Sequence, residues 1–321
     1  MRILILGGQG FIGQNLCKKL LSEGHEVTVL EKQVNFSRII PNVKYVEGDF
    51  LDKSTYEEYL KDKDVVYHMI STTNANNSNN DMKKDVKENV IGTLDLLDGC
   101  VENGVKKVIF ISSGGTVYGV PEETPIKETH PTNPICSYGI TKLTIEKYLS
   151  LYHHLHGLDY SVIRLANPYG PYHQNLMQGL INVILNKAIN DDTLEVWGDG
   201  QVRRDYIYID DAVEAISRAK DVDTTEKVLN VGSGQSHSIC DIISEVEKIV
   251  GKSINTEFKP SRNQDVPVNV LDINKTKEVL GWEPKVGLSE GIANTYLYQL
   301  KKIADNKEGE LSEEITRRTS R

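Results

Sequence analysis

The sequence is poor in cysteine, in large aromatic side chains and in positive charge. Its 321 residues include 4 cysteines, 2 tryptophans and 5 phenylalanines, and its formal net charge is −9. The cysteines are far apart, without a CxxC pair or a nearby histidine group, so the pattern predicts reduced thiols and no metal site. A nucleic-acid partner is not expected either, because binding a phosphate backbone usually needs a concentrated basic face.

The chain also lacks any apolar run long enough for a signal peptide or a membrane span. Met1 and Arg2 lead directly into a short apolar segment. We therefore expect a cytoplasmic protein with no membrane partner. The length suits one large domain, or two that share a cleft.

Short apolar runs alternate with amphipathic stretches through the first half of the chain. This alternation predicts an α/β fold of the Rossmann type, a doubly wound parallel sheet with helices on both faces. The predicted strands are 2–6, 25–30, 43–47, 65–69, 108–112 and 160–165, and the predicted helices are 11–22, 86–103 and 137–156.

The pattern becomes less regular after residue 166. We predict a Rossmann domain over 1–166 and a smaller C-terminal substrate-binding lobe over 167–304, some segments of which return to the first domain. The lobe is expected to contain a helix at 176–190 and strands at 194–197 and 206–209. The polar tail at 305–321 is expected to fray at its end, because the segment from 301 onwards is mostly charged and polar.

Gly7, Gly10 and Gly13 lie at the turn between the first strand and the first helix. Without side chains there, backbone amides can approach a diphosphate, and the helix N-terminus offers partial positive charge. A merely tight glycine-rich turn is the alternative explanation. The strand-helix-strand context favours a dinucleotide site.

Glu31 follows the second strand, 18 positions after Gly13. A carboxylate there can accept hydrogen bonds from both adenosine ribose hydroxyls and repel a 2′-phosphate, so NAD is favoured over NADP. Lys32 and Arg38 are the residues that could weaken this preference. Asp49 could accept a hydrogen bond from the adenine amino group, or it could cap the next helix.

Tyr138 and Lys142 are four residues apart, hence on one face of a predicted helix. A nearby ammonium favours phenolate over phenol, so we expect the pKa of Tyr138 to fall from its usual value toward neutrality. Tyr138 could then exchange a proton with a sugar hydroxyl. Taken alone, the motif could equally be a surface pair.

Several motifs occur in a fixed order along the chain, and this ordered set is far more specific than any single motif. Together they resemble the extended short-chain dehydrogenase/reductase family, in particular its nucleotide-sugar epimerases and dehydratases, of which UDP-galactose 4-epimerase is the best-known type. The match covers roughly residues 1 to 300 and consists of 7–13, 48–50, 111–119, 137–142, 167–170, 198–211, Arg262 and Asp265.

The resemblance implies a nucleotide-diphosphate sugar as substrate and NAD as cofactor, with Tyr138 as the acid/base and Lys142 as its electrostatic partner. The implied cofactor-binding residues are Gly7, Gly10, Phe11, Ile12, Gly13, Glu31, Asp49, Phe50, Ser112, Tyr138 and Lys142. The implied substrate-binding residues are Asn167, Arg204, Arg262 and Asp265.

The chain departs from the family pattern at Gly114, where relatives usually carry a serine or threonine that contacts the reacting sugar oxygen. Thr116 or Ser113 could supply the missing hydroxyl, and the sequence does not decide which of them, if either, does so. Dehydratases of the family usually carry an Asp-Glu pair at the positions of Gly115 and Thr116. Since both acids are absent, 4,6-dehydration is not expected.

The predicted function is NAD-dependent 4-epimerisation of a UDP-hexose or a UDP-N-acetylhexosamine. The alternatives are a nucleotide-linked 4-keto-sugar reductase or sugar-nucleotide dehydrogenase, and a non-catalytic NAD-sensing protein of the same fold. The resemblance also implies a homodimer, with the helices at 86–103 and 137–156 as the candidate interface.

Overall fold

The computed structural model describes residues 1–173, 179–261 and 266–319. In chain order, the strands are β1 (Arg2–Leu6), β2 (Glu26–Glu31), β3 (Lys44–Glu47), β4 (Val65–His68), β5 (Lys107–Ser113), β6 (Asp159–Leu165), β7 (Asn167–Tyr169), β8 (Leu194–Trp197), β9 (Arg203–Tyr208), β10 (Val228–Val231), β11 (Ser236–Ser238), β12 (Thr256–Lys259) and β13 (Val268–Asn269). The helices are α1 (Phe11–Ser22), α2 (Met82–Asp85), α3 (Gly92–Glu102), α4 (Ser137–His156), α5 (Leu180–Asn190), α6 (Ile209–Arg218), α7 (Ile239–Val250), α8 (Asn274–Leu280) and α9 (Leu288–Thr319).

A parallel sheet forms the centre of the molecule. Within the described residues it has seven strands in the order β3-β2-β1-β4-β5-β6-β10. The chain builds outward from β1 on one side and from β4 on the other, which leaves a crevice between them at the carboxyl ends of the strands. This arrangement confirms the predicted Rossmann-type fold and shows where a ligand is expected.

The sheet is buried on both faces, because successive side chains of a strand point to opposite sides. In β1, Ile3 and Ile5 belong to one apolar cluster, which also contains residues of α1 and α6. Leu4 and Leu6 belong to the other cluster, with residues of α3 and α4. The helix that carries Tyr138 therefore packs on the same face of the sheet as α3.

The C-terminal part adds a small second sheet, in which β9 pairs with β7, β11 and β13. A separate parallel pair is formed by β8 and β12. Strand β10 returns to the central sheet and pairs with β6. The second sheet is thereby tied to the carboxyl edge of the first.

Some predicted elements differ in their bounds. The strand predicted at 206–209 starts earlier, at Arg203, and Ile209 already begins α6. The helix predicted at 176–190 is observed from Leu180, and residues 176–178 lie outside the described residues. The helix predicted at 86–103 is a π-helical turn, Val86–Ile91, followed by α3.

The backbone of the polar tail is helical as far as Thr319, at the end of α9. Lysine and glutamate, which are frequent in this segment, are good helix formers. Residues 320–321, at the end that is expected to fray, lie outside the described residues. None of the described helices is long and apolar enough to cross a membrane. All four cysteines are free thiols.

Candidate active site

The glycine turn joins β1 to α1 at the crevice. Gly7 has a φ of +83°, and a Cβ on Gly13 would lie 2.5 Å from the carbonyl oxygen of Gly7. The amide of Gly10 donates to that same carbonyl at 3.2 Å. Helix α1 begins at Phe11, and none of the described side chains caps its start. Its first amides thus suit the diphosphate of a dinucleotide.

Glu31 ends β2 beside this turn. Its Oε1 accepts a hydrogen bond from the amide of Gln9 at 2.6 Å, and Arg38 donates to the Gln9 carbonyl at 3.3 Å. Burial raises the pKa of the Glu31 carboxyl, and the Gln9 amide and the Arg38 charge oppose this rise. The carboxylate is placed where an adenosine ribose is expected, so the residues present fit NAD.

Two other predicted cofactor residues are engaged within the protein. Asp49 forms an ion pair with Lys32, with Nζ and Oδ2 2.7 Å apart, and also accepts from the amide of Leu51. The Lys32 hydrogen bond lowers the pKa of the Asp49 carboxyl. The ring of Phe50 is buried against His68, with ring centroids 5.2 Å apart. Contact of Phe50 with a cofactor would therefore involve its backbone.

Tyr138 and Lys142 lie in the first two turns of α4. The Nζ of Lys142 donates to the carbonyl of Ile111 at the end of β5, at 2.8 Å. The same Nζ lies 4.6 Å from the ring centroid of Phe110 and 5.6 Å from that of Tyr138. Among the described residues, the Tyr138 hydroxyl has no hydrogen-bond partner. The pair is thus brought together at the carboxyl edge of the sheet.

The start of α4 is capped from a distant loop. Its N-cap residue, Cys136, makes no side-chain cap. Instead, Ser78 Oγ accepts from the amide of Tyr138 at 3.0 Å, and Asn79 Oδ1 accepts from the amide of Ser137 at 2.9 Å. Sequence reasoning missed both residues. The only signal was a cysteine where a helix start normally has a side-chain acceptor.

Asp85 reinforces this connection from α2. Its buried carboxylate accepts from the hydroxyls of Ser137 and Thr73, each at 2.5 Å, and from the side-chain Nδ2 of Asn89 at 2.8 Å. The loop after β4, α2 and the start of α4 are therefore joined into one hydrogen-bonded unit. The position of Tyr138 is set by that unit.

A cavity of about 360 Å³ lies in the C-terminal part, where the second sheet meets the carboxyl edge of the first. Asn167 and Arg204, both predicted to bind substrate, line it. Arg262 and Asp265, predicted for the same site, lie outside the described residues. The volume suits a small-molecule site.

Both lining residues are held by backbone groups. Asn167 Nδ2 donates to the Asp205 carbonyl at 2.9 Å, and Arg204 Nη1 donates to the Val266 carbonyl at 2.6 Å. These bonds cross between β7, β9 and the segment before β13. The small sheet thus orients an amide and a guanidinium toward one cavity.

Trp197 and Asn76 also line the cavity, and neither was among the predicted site residues. Trp197 ends β8, and 39% of its surface is exposed. Asn76 comes from the loop that caps α4, two residues before Ser78. One loop therefore borders the cavity and holds the amide of Tyr138.

Comparison with known proteins shows the family of the chain. The family model described as the NAD dependent epimerase/dehydratase family matches residues 3–232. The chain belongs to this family. It is 34% identical over 304 residues to the UDP-glucose 4-epimerase of Mycolicibacterium smegmatis, covering 92% of this chain and 97% of that protein.

Solved structures of similar proteins support the same family. The UDP-glucose 4-epimerase of Thermotoga maritima with UDP-glucose superposes with a TM-score of 0.89 at 34% identity, covering 94% of this chain and 100% of that one. The Thermus thermophilus enzyme in complex with NAD gives 0.87 at 32% identity, covering 93% and 98%. The predicted family, the NAD cofactor and the assignment as an enzyme are confirmed.

Within this epimerase/dehydratase framework, the electrostatics of the catalytic pair differ from our expectation. Burial raises the pKa of Tyr138 to about 12, with further contributions from Cys136 and Asp85. Burial lowers the pKa of Lys142 to about 8, opposed by Glu146 and Asp85. The expected fall in the Tyr138 pKa is wrong for this structure, because the ammonium of Lys142 bonds to the β5 backbone and not to the phenol.

The segment after β5 explains the departure at Gly114. A Cβ there would lie 2.6 Å from Leu271 Cδ1 and 3.1 Å from the Arg164 carbonyl, so a side chain would be directed into the protein. Ser113 is partly buried at the end of β5. Thr116 Oγ1 is buried and has no hydrogen-bond partner within the described part of the chain.

The carboxylate of Glu31 generates a prediction about cofactor choice. Replacing Glu31 with serine removes the acceptor for the ribose hydroxyls and leaves Arg38 beside the turn. We expect the ratio of NADP to NAD affinity to rise by about tenfold or more, equivalent to at least about 1.4 kcal/mol. Calorimetric titration of the cofactor-stripped full chain with each nucleotide measures this ratio.

The double variant Glu31→Ser/Arg38→Gln is the matched control, and it should lose the gain in NADP affinity. Unchanged NAD affinity in the Glu31→Ser variant would show that this carboxylate does not contact the cofactor.

Proposed function

We propose that this protein interconverts the C4 epimers of a UDP-hexose or a UDP-N-acetylhexosamine. NAD-dependent 4-epimerisation of a nucleotide sugar is the activity that the relatives support. The observation that carries the proposal is the joint placement of the glycine turn, Tyr138 with Lys142, and the cavity at the carboxyl edge of one sheet. The UDP-glucose named for the Thermotoga protein supports the uridine nucleotide.

NAD, when bound, supplies the acceptor for the C4 hydride and gives the same hydride back. The phenolate of Tyr138 takes the proton of the sugar 4-hydroxyl during oxidation, which converts it to the phenol, and it returns that proton during reduction. Proton and hydride are both restored to the sugar, so no net redox change occurs. Inversion follows when the hydride returns to the other face of the keto sugar.

The phenol has to lose its own proton before it can take the proton of the sugar. With the Lys142 pKa at about 8, its ammonium is mostly charged at neutral pH, whereas a Tyr138 pKa of about 12 keeps the phenol protonated until further positive charge lowers that pKa. A positive charge close to the phenol stabilises the phenolate. Lys142 provides one such charge, and the nicotinamide of oxidised NAD would provide a second.

The substrate side rests on Arg204 and Arg262, which we propose to grip the diphosphate through bidentate guanidinium contacts. Asn167 and Asp265 are proposed to contact the diphosphate region and the nucleotide ribose. Dehydration is not proposed, because Gly115 and Thr116 occupy the positions of the acid pair.

The activity is tested by incubating purified protein with UDP-glucose and UDP-N-acetylglucosamine without added NAD. We expect a galacto product of unchanged mass, identified by NMR and mass spectrometry, because the cofactor is regenerated in every cycle. Tyr138→Phe should lower kcat by about a thousandfold, since it removes the general acid/base.

Retained NAD in the Tyr138→Phe protein is the control for an intact cofactor site. If neither sugar is converted while added NADH reduces a nucleotide-linked 4-keto sugar, the protein is a reductase and the epimerase proposal fails.

A second prediction concerns the hydroxyl missing at Gly114. We propose that Thr116 supplies it, because a buried hydroxyl without a protein partner is costly unless a ligand satisfies it. Thr116→Val should lower kcat by about a hundredfold, comparable to the loss of one oxygen-binding donor.

Ser113→Ala is the matched variant, expected to stay close to wild-type kcat. The reverse order of effects, with Ser113→Ala impaired and Thr116→Val active, would assign the role to Ser113.

We also propose a homodimer formed through the helical segments 86–103 and 137–156. Large apolar side chains are exposed in and next to these segments, and Leu151 and Leu155 of α4 are one helical turn apart. The exposed residues are Met82, Val86, Ile91, Ile140, Leu151 and Leu155. Paired copies would remove this surface from water.

Light scattering of the full chain should give twice the chain mass. The variant Leu151→Glu/Leu155→Glu should give the mass of a single chain, because a buried unpaired charge opposes association. A wild-type monomer at micromolar concentration would contradict the dimer.

The free thiols support the proposed cytoplasmic location.

A further inference from the structure

A row of buried polar side chains crosses three neighbouring strands of the central sheet beneath α4. Ser112 on β5 and Arg164 on β6 are direct partners in the sheet register, and Asn230 on β10 is the next partner of Arg164. All three residues are buried, with 3%, 5% and 0% of their surface exposed. Such a row is costly in a core unless its groups are fully paired.

The row converges on Glu146 of α4. Its Oε1 accepts from the Ser112 hydroxyl at 2.5 Å, and its Oε2 accepts from Arg164 Nη2 at 2.7 Å. Arg164 Nε also donates to both oxygens, at 3.1 and 3.2 Å. We refer to Ser112, Glu146 and Arg164 as the Glu146 cluster. It joins two strands to one point on the helix.

The Nη1 of Arg164, which does not contact Glu146, also has hydrogen-bond partners. Its Nη1 donates to the Tyr118 hydroxyl at 2.9 Å, and that hydroxyl donates to Asn230 Oδ1 at 2.7 Å. A buried ion pair with its remaining groups paired is sustainable, whereas removing one partner leaves an uncompensated charge. The orientation of Glu146 is therefore strongly constrained.

Lys142 is one helical turn before Glu146 and binds the neighbouring strand residue. Its Nζ donates to the Ile111 carbonyl, and Ser112 donates to Glu146. Two consecutive residues of β5 thus hold two residues one turn apart on α4. This double attachment determines both the height and the rotation of the helix that carries Tyr138.

The charges around Lys142 come from several elements. Glu146 on the same helix and Asp85 on α2 both favour its charged form, against the effect of burial. His68 on β4 is also buried nearby, and its pKa falls to about 3 through burial and the Lys142 charge, so it is neutral. Tyr138 contributes a neutral phenol at neutral pH. Glu146 is the foremost of the groups that oppose the loss of the Lys142 proton.

We propose that Glu146 is a positioning residue of the reaction, held by Ser112 and Arg164 so that it keeps the ammonium of Lys142 charged and in place beneath Tyr138. This role rests on the proposed functions of Tyr138 and Lys142. A purely structural ion pair would stabilise α4 equally well. The two roles differ in their effect on the ionisation of Lys142.

Glu146→Gln keeps the shape of the side chain and removes its charge. The pKa of Lys142 in the full-length holoenzyme should fall by about one unit or more, because a buried ammonium loses an opposite charge. Carbon-13 NMR of labelled lysines measures this value, and Lys142→Met identifies the signal.

The activity should follow the same shift. If the charged form of Lys142 is required, activity is lost as the pH rises through its pKa, so a lower pKa moves the alkaline limb of kcat to lower pH. KM for the nucleotide sugar should stay within about twofold, since Glu146 does not line the substrate cavity. Glu146→Asp keeps the charge and should restore most of the alkaline limb.

Glu23→Gln provides the matched control. Glu23, whose side chain is 26% exposed, pairs with the buried Lys220 at 2.9 Å, at the other end of α1 from the glycine turn. This variant should lose thermal stability without moving the pH profile. If Glu146→Gln fails to fold, the double variant Glu146→Gln/Arg164→Met removes both charges of the ion pair, and it should produce a smaller shift of the Lys142 pKa in the same direction because the opposite charge next to Lys142 is still lost.

A folded Glu146→Gln protein with an unchanged Lys142 pKa would overturn the inference and leave a structural ion pair. So would an unchanged Lys142 pKa in the folded Glu146→Gln/Arg164→Met protein when Glu146→Gln does not fold. The NMR measurement needs no substrate. A shifted pKa in a protein that epimerises no nucleotide sugar would support the role of Glu146 and count against the proposed function.

Discussion

The ion pair between Glu146 and Arg164 joins the catalytic helix to the sheet. Side chains of both residues are almost fully buried, at 4% and 6% exposure, so neither charge can be stabilised by water. Each depends on the other and on Ser112 and Tyr118. Helix α4 can dock in one register only, and the positions of Tyr138 and Lys142 follow from that docking.

A second constraint acts on the same helix from its N-terminal end. Ser78 and Asn79 satisfy amides that the N-cap residue leaves open, and Asp85 holds the hydroxyl of Ser137. The capping loop also reaches the substrate cavity through Asn76. The helix is thus attached at one end to the sheet and at the other to a loop that borders the substrate. This is the physical connection between binding and the acid/base.

Much of the architecture could be predicted because it follows local rules. The two apolar faces of β1, the glycines of the turn and the spacing of Tyr138 and Lys142 depend on residues close in sequence. Those rules failed for properties that depend on groups distant in sequence. The pKa of Tyr138 depends on burial and on Asp85, 53 positions away along the chain by residue number. Trp197 needed the β8 and β12 pairing before its exposed position could be recognised.

The sequence by itself determined the fold class, the dinucleotide turn, the acidic residue at its edge and the family, because each is encoded by residue types at fixed short spacings. Only the tertiary structure decided that Lys142 bonds to β5 instead of the phenol, that a side chain at Gly114 would be directed into the core, and that Ser112, Arg164 and Glu146 meet. The physical reason is desolvation. Which polar groups lose water, and which partners then replace it, depends on strands and helices that are distant in sequence and adjacent only once the chain is folded.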